Sequence, residues 1–160
     1  MSQALTHYVG WLSVQPRPPR TGVAYVGVRV LVYLLGLVLM VLVYGTKQRG
    51  LIIAPPVALV GGAGTWYLLG DTPLNGQRRL ITAAGVGLLL AELTWALGYW
   101  DISGAGLVGG ASLWLAFYVL SGVAEHAASQ SIDRRIGIEY AVVALVGTIG
   151  ILWSSHPWGA

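Results

Sequence analysis

Apolar residues fall in five long runs that are separated by short polar connections. At about 1.5 Å per residue, a helix needs about 20 residues to cross a hydrocarbon layer of about 30 Å. Helices are required because lipid offers no partner for backbone N–H and C=O groups, and the alternation typical of barrel strands is absent. The pattern therefore predicts an all-α integral membrane protein, a bundle of five transmembrane helices. The runs are residues 23–44, 51–70, 80–99, 102–124 and 136–153.

These runs predict a single transmembrane domain with a tail at each end. The domain covers residues 23–153, a cytoplasmic N-terminal tail covers residues 1–22, and a short external tail covers residues 154–160. The N-terminal tail closes with a linker rich in Pro and Arg and is too long for the n-region of a cleavable signal peptide, so we expect it to be retained. A short helix in the headgroup region and an irregular tail both fit its pattern.

The basic residues of the connections predict the orientation of the chain. Lys and Arg concentrate in the loops that face the cytoplasm. With five spans, six arginines fall on one side, and only Lys47 and Arg49 fall on the other. The N terminus is therefore expected inside and the C terminus outside. The six arginines are Arg17, Arg20, Arg78, Arg79, Arg134 and Arg135.

Composition agrees with a membrane location and excludes several kinds of site. Only 9% of the 160 residues are charged and 56% are hydrophobic, against roughly 25% charged in soluble domains. A net charge of +3 without a basic cluster gives no reason to expect nucleic-acid binding. The absence of cysteine excludes disulfides, thiolate metal sites and cysteine nucleophiles. We expect a multi-pass protein of a bacterial inner (plasma) membrane. The excess of arginine over lysine and the abundance of Gly, Ala, Val and Leu are compatible with a bacterium of high genomic GC content.

Small residues recur at helical spacing in the third and fourth runs. Steps of three and four place such residues in one stripe, along which two helix backbones can approach closely. We therefore predict that spans three and four form a tight antiparallel hairpin. The two stripes are Ala84, Gly87, Ala91, Thr94 and Gly98, and Ala105, Gly109, Ser112 and Ala116.

Glu92 is an acidic residue deep inside the third run. Its short side chain cannot easily reach water from that depth, so it needs a partner or a proton. One hypothesis makes Glu92 a proton-carrying or cation-binding group, with Trp95 and Tyr99 as the walls of a pocket. The other gives Glu92 a structural role, in which its side chain forms a hydrogen bond between helices.

Arg29 and Glu139 lie at similar depths in the first and last runs. They are a candidate ion pair, because both are within about 10 Å of the predicted cytoplasmic boundary. The alternative for Arg29 is that its long stem extends to the headgroups without a partner.

The longest connection on the cytoplasmic side is a candidate docking loop. Its residues lack the spacing of a metal site, and no histidine lies within a run, so haem ligation is not expected. Neither cofactors nor metals are therefore predicted. The candidate docking residues are Glu125, His126, Asp133, Arg134 and Arg135.

Hydrolase and nucleotide-binding motifs are missing, so we expect a non-enzymatic role. A lipid-modifying enzyme stays an alternative, because residues 125–139 contain several polar side chains. The leading hypothesis is a small membrane protein that packs with itself or with a larger membrane complex through its small-residue faces, with membrane lipid as its surroundings. The alternative is a proton-coupled or small-solute carrier that uses Glu92.

Overall fold

The computed structural model describes residues 22–46, 50–99, 106–129 and 134–155. In this part of the chain five α-helices follow one another, and a 3-10 turn, Leu69–Asp71, ends the second. The helices are α1 (Val23–Gly45), α2 (Gly50–Leu68), α3 (Gly76–Tyr99), α4 (Gly106–Ala128) and α5 (Arg134–Ser155).

The five helices confirm the prediction of an all-helical chain. Each is long and apolar enough to span a membrane, with a mean hydropathy between 1.5 and 2.6 over its best window. The expectations for the two tails, 1–22 and 154–160, fall mostly on residues 1–21 and 156–160, which lie outside the described residues. Residues 154 and 155, predicted to begin the external tail, are instead the last residues of α5.

The most extensive contact between two helices joins α2 to α3. Glycines permit it: a Cβ atom at Gly87 would lie 2.5 Å from the carbonyl oxygen of Ala58, and Gly61 makes room for the side chain of Leu90. The connection between the two helices is short, because only residues 72–74 separate the 3-10 turn from Asn75. The side chain of Asn75 accepts a hydrogen bond from the Arg78 N–H at 2.8 Å and caps α3.

A second close pair is formed by α1 and α4. A Cβ atom at Gly110 would lie 2.5 Å from the Cα atom of Val41, and Gly109 lies under the ring of Tyr44. Phe117, which is 1% exposed, extends from α4 toward Gly64 of α2. This ring therefore joins the two helix pairs into one core.

The predicted α3–α4 hairpin is not the closest contact in the bundle. The two helices touch, but each packs more extensively on another neighbour, α3 on α2 and α4 on α1. The stripe predicted on α3 explains this difference, because its members face two ways. Gly87 and Thr94 are buried, whereas Ala84 and Gly98 are exposed.

Helix α5 lies at the edge of the bundle, against α4. Tyr140 packs on Gly122, and Leu115 packs on Gly147. None of the residues in its best membrane window is buried, so most of α5 faces outward.

Candidate functional site

Arg29 of α1 and Glu125 of α4 form an ion pair, in which Nη2 of Arg29 donates to Oε2 of Glu125. Both side chains are largely covered, with 26% and 21% of their surface exposed. The two helices are antiparallel neighbours, so the first turns of α1 meet the last turn of α4. The pair neutralises both charges where the bundle offers little water.

One helical turn further in, the same two helices make a second polar contact. Tyr33 follows Arg29 by four residues and Ser121 precedes Glu125 by four, so each lies on the same face as its neighbour. The hydroxyl of Ser121 donates to the carbonyl of Tyr118 at 3.3 Å, which leaves its oxygen able to accept from the Tyr33 hydroxyl at 3.4 Å. The two helices are thus joined at two successive levels.

Aromatic rings extend this contact to α5. The ring of Tyr118 lies 5.3 Å from that of Tyr33 and 5.9 Å from that of Tyr140. Nδ1 of His126 lies 2.9 Å from the carbonyl oxygen of Gly122, and its ring meets Tyr140 edge-on at 5.7 Å. We call this set the Arg29 cluster. Its members are Arg29, Tyr33, Tyr118, Ser121, Glu125, His126 and Tyr140.

Two further contacts lie at the same end of the bundle. Nε of Arg79 donates to the carbonyl of Trp66 at 2.6 Å, and the guanidinium lies 4.4 Å from the centre of the Trp66 ring. The hydroxyl of Tyr25 lies beside the carboxylate of Asp71, which connects α1 to the turn after α2. These contacts fix the α2–α3 pair against α1.

The interactions of the Arg29 cluster are of the kind that hold helices together. Its acid and its base are paired with each other, and the hydroxyl of Ser121 already takes part in two hydrogen bonds. Within the described ranges, no three His, Asp or Glu side chains come together to hold a metal ion.

Glu92 has a very different environment, on the outward face of α3. It is exposed, and Leu88, Ala91 and Trp95 form a shallow surface groove with it. Gly87 and Leu90 contact α2, and a helix turns by about 100° per residue, so Glu92 lies on the far side of α3. No hydrogen bond or ion pair joins it to another described residue.

A family model for proteins of unknown function, DUF5656, matches residues 4–154. The chain belongs to the DUF5656 family. No curated protein and no solved structure matches the chain. The match covers the five helices of this DUF5656 protein up to residue 154, one residue before the end of α5, and it brings no activity or ligand with it.

In this DUF5656 protein the partner of Arg29 is Glu125, not Glu139. Glu139 is exposed on α5. The sequence interpretation placed Glu125 in a loop because the apolar run ends at Ala124, whereas α4 continues to Ala128. This pair could have been found by comparing the depth of Arg29, near the start of the first run, with the depth of Glu125, directly after the end of the fourth run.

The other predicted site residues are scattered. Trp95 lies beside Glu92 on the outward face and is 46% exposed. Arg134 and Arg135 begin α5 and are exposed, and His126 belongs to the Arg29 cluster. The remaining predictions concern Ala105, Asp133 and the side chain of Tyr99, which lie outside the described residues.

The small residues predicted on α4 also have separate neighbours. Gly109 packs on α1, while Ser112 and Ala116 line a groove of about 420 Å³ between α3, α4 and α5. This groove is apolar because most of its lining side chains are aliphatic, and the hydroxyls of Ser112 and Thr148 donate to the carbonyls of Val108 and Ala144.

Proposed function

We propose that this protein is a non-enzymatic membrane subunit that associates within the bilayer through the outward face of α3, with Glu92 at the centre of the contact. The observation that carries the proposal is the position of Glu92. It combines an exposed side chain, a location well inside an apolar helix and the lack of a partner among the described residues.

The depth of Glu92 makes an outside partner necessary. At about 1.5 Å per residue, Glu92 is about 24 Å from the start of α3 and about 10 Å from its end. An acidic residue at such a depth costs about 3 kcal/mol on insertion scales. A hydrogen bond from another helix recovers part of this cost, typically about 1 kcal/mol. The face that carries Glu92 is therefore more stable against protein than against lipid.

The arrangement gives less support to a carrier. A carrier that used Glu92 would need a polar path to this residue through the bundle, whereas Glu92 points away from α2 and from the core. Among the described residues the buried polar side chains are Thr65, Thr94 and Ser121, none of which is ionisable. The ion pair and the hydrogen bonds of the Arg29 cluster already connect α1 to α4.

We also propose the orientation and the location that the basic residues predict. Arg78, Arg79, Arg134 and Arg135 begin α3 and α5, at the end of the bundle where α1 begins. Their position supports a cytoplasmic N terminus in a bacterial inner membrane, where arginines contact anionic headgroups. Among these residues, Arg78, Arg134 and Arg135 are exposed and are suited to such contacts.

The proposal is tested by the mass of the protein–detergent particle that contains this chain. The wild-type protein, Glu92→Gln and Glu92→Leu are extracted from membranes in mild detergent, and the mass of each protein–detergent particle is measured by light scattering or native mass spectrometry. We expect an assembly for the wild type, a weakened assembly for Glu92→Gln and single chains for Glu92→Leu. Glutamine retains hydrogen bonding and leucine removes it.

The matched control is Glu139→Gln, which changes an exposed glutamate near the start of α5. It is expected to leave the assembly intact. A wild-type particle that contains one chain alone, or an assembly that survives Glu92→Leu, would overturn the proposal.

A further inference from the structure

Helix α5 leaves a gap beside α3. Both helices pack on α4, and α5 does so closely at Gly147, which makes room for the side chain of Leu115. Within their described residues, α3 and α5 make no extensive contact with each other. The gap between them is the groove of about 420 Å³, which has α4 as its floor and the other two helices as its walls. We call it the lateral groove.

The lateral groove offers an occupant only hydrocarbon surface. Its described lining carries no charged side chain. The hydroxyls of Ser112 and Thr148 donate to carbonyls of their own helices at 2.8 Å and 2.7 Å, and the other lining side chains are aliphatic. Such a space does not hold water, and an empty groove would deprive its lining of dispersion contacts. The occupant is therefore apolar.

The lateral groove lies in one half of the bilayer. On α5 its lining begins at Ala144 and ends at Leu152, a stretch of about 12 Å at 1.5 Å per residue. One half of the hydrocarbon layer is about 15 Å thick. One turn before Ala144, Tyr140 packs on Gly122 and on the ring of Tyr118, which closes the contact between α4 and α5. The groove therefore runs from the middle of the bilayer toward the ends of α3 and α5.

The size of the lateral groove distinguishes a lipid chain from a helix. A helix is about 10 Å wide with its side chains, so 12 Å of it occupies about 900 Å³, roughly twice the 420 Å³ of the groove. A partner helix would also continue through the other half of the bilayer, where Tyr140 closes the space. A methylene group is close in size to a water molecule, which occupies about 30 Å³ in the liquid, so the groove holds a chain of about 14 such groups. One fatty acyl chain has this volume and this length.

We propose that the lateral groove binds one fatty acyl chain of a membrane phospholipid, with the end of the chain near Ala144 and the headgroup beyond Leu97 and Leu152. The chain fills the space between α3 and α5, and so supports a helix that the described bundle holds mainly through α4. The site does not include Glu92 or its neighbours Leu88 and Trp95. It is therefore independent of the proposed function.

Photolabelling in a bilayer tests the site. The full-length protein is reconstituted into phosphatidylcholine vesicles that contain a phosphatidylcholine with a diazirine group at the end of one chain. After illumination, the labelled residues are located by mass spectrometry. We expect label on Val119, in the floor of the groove, at a level similar to that on Leu145. Leu145 lies at the depth of Ala144, is 62% exposed and reports contact with the surrounding lipid.

A variant with a filled groove separates the site from general lipid contact. The double variant Ala116→Leu/Ala144→Leu places two larger side chains in the lateral groove. It should lower the labelling of Val119, relative to that of Leu145, roughly tenfold. The matched control is Ala127→Leu/Ala141→Leu, which makes the same changes at exposed positions of α4 and α5 and should leave the ratio unchanged. Native mass spectrometry of the wild-type chain should show one retained phospholipid, which the filled variant loses.

Three results would overturn the inference. The first is a wild-type protein in which Val119 is labelled less than a tenth as strongly as Leu145, because lipid then does not enter the groove. The second is a labelling ratio that the filled variant and its control share. The third is label on Val119 in vesicles but not in native membranes that contain the same probe, which would show that a polypeptide occupies the groove there. The first and third results need no variant, so they hold even where the filled variant does not fold.

Discussion

Glu125 and Glu92 are both acidic residues within apolar helices, yet they lie on opposite kinds of surface. Glu125 faces a neighbouring helix of its own chain and meets Arg29 there. Glu92 faces outward, between Leu88 and Trp95. The face of the helix, more than the residue type, therefore decides whether a carboxyl group takes part in the fold, as Glu125 does, or remains exposed, as Glu92 does.

The difference extends to the helices around each residue. The Arg29 cluster connects α1, α4 and α5 through ion-pair, hydroxyl and ring contacts. Helix α3 is held by close backbone packing on α2, at Gly61 and Gly87. Its position therefore does not depend on Glu92, which leaves that residue available for a partner.

The largest effect on stability is expected from breaking the Arg29–Glu125 pair. Glu125→Leu leaves the guanidinium without its partner, and removing one member of a covered pair costs about 3 kcal/mol. Arg29→Leu should cost a similar amount. The measurement is the free energy of unfolding in mixed detergent, followed through the denaturation of the helices.

The double variant Arg29→Leu/Glu125→Leu sharpens this prediction. Because it removes both charges, it should recover most of the stability that each single change loses. Glu139→Leu, which alters an exposed residue, should change the free energy of unfolding by less than about 0.5 kcal/mol. Single changes at Arg29 and Glu125 that match Glu139→Leu would show that the pair does not hold α1 to α4.

The next effect in size concerns the backbone contact between α2 and α3. In Gly87→Ala the new Cβ atom would lie 2.5 Å from the Ala58 carbonyl oxygen, so the helices must separate, at a cost of about 2 kcal/mol. Gly85→Ala is the same change two residues away, where nothing lies within 4 Å. It should leave stability unchanged or raise it by up to about 1 kcal/mol, through helix propensity. Equal thermal denaturation midpoints for the two variants would contradict the observed packing.

This pair of glycines shows what the sequence could and could not predict. The five spans were predictable, because each run is long enough to cross the hydrocarbon and is bounded by polar residues. The packing face was predictable only in part, because the stripe predicted on α3 contains Gly87, which is buried, but also Ala84 and Gly98, which are exposed. In lipid, an outward and an inward face have nearly the same hydrophobicity, so periodicity alone does not separate them.

The ion pair shows a second reason for the limits of prediction. Hydropathy ends the fourth span at Ala124, although α4 continues to Ala128 and holds Glu125 against α1. The end of an apolar run and the end of a helix are different boundaries, and the polar residues between them include Glu125 and His126 of the Arg29 cluster. Glu92 was recognisable as an unusual residue, but its outward direction required the structure.

A smaller effect on stability, with a large effect on association, is expected at Glu92. Glu92→Leu should change the free energy of unfolding of the isolated chain by less than about 0.5 kcal/mol, because no described residue loses a partner. The same change should reduce association roughly tenfold. For Glu125→Leu we expect the reverse, a large loss of stability and a small effect on association. Both variants are therefore measured by unfolding in detergent and by the mass of the protein–detergent particle. A large loss of stability in Glu92→Leu would place Glu92 among the residues that hold the fold.

The smallest effect is expected within the Arg29 cluster, at the hydroxyl contact of Tyr33 and Ser121. Its 3.4 Å separation indicates a weak hydrogen bond, and such bonds between membrane helices contribute about 0.6 kcal/mol on average. Tyr33→Phe removes the hydroxyl and keeps the ring against Phe117, 5.7 Å away. In a double-mutant cycle with Ser121→Ala, the coupling energy should be about 0.5 kcal/mol. A coupling as large as that of Arg29 with Glu125 would show that the hydroxyl contact shares equally in holding α1 to α4, whereas a small value assigns this role to the ion pair.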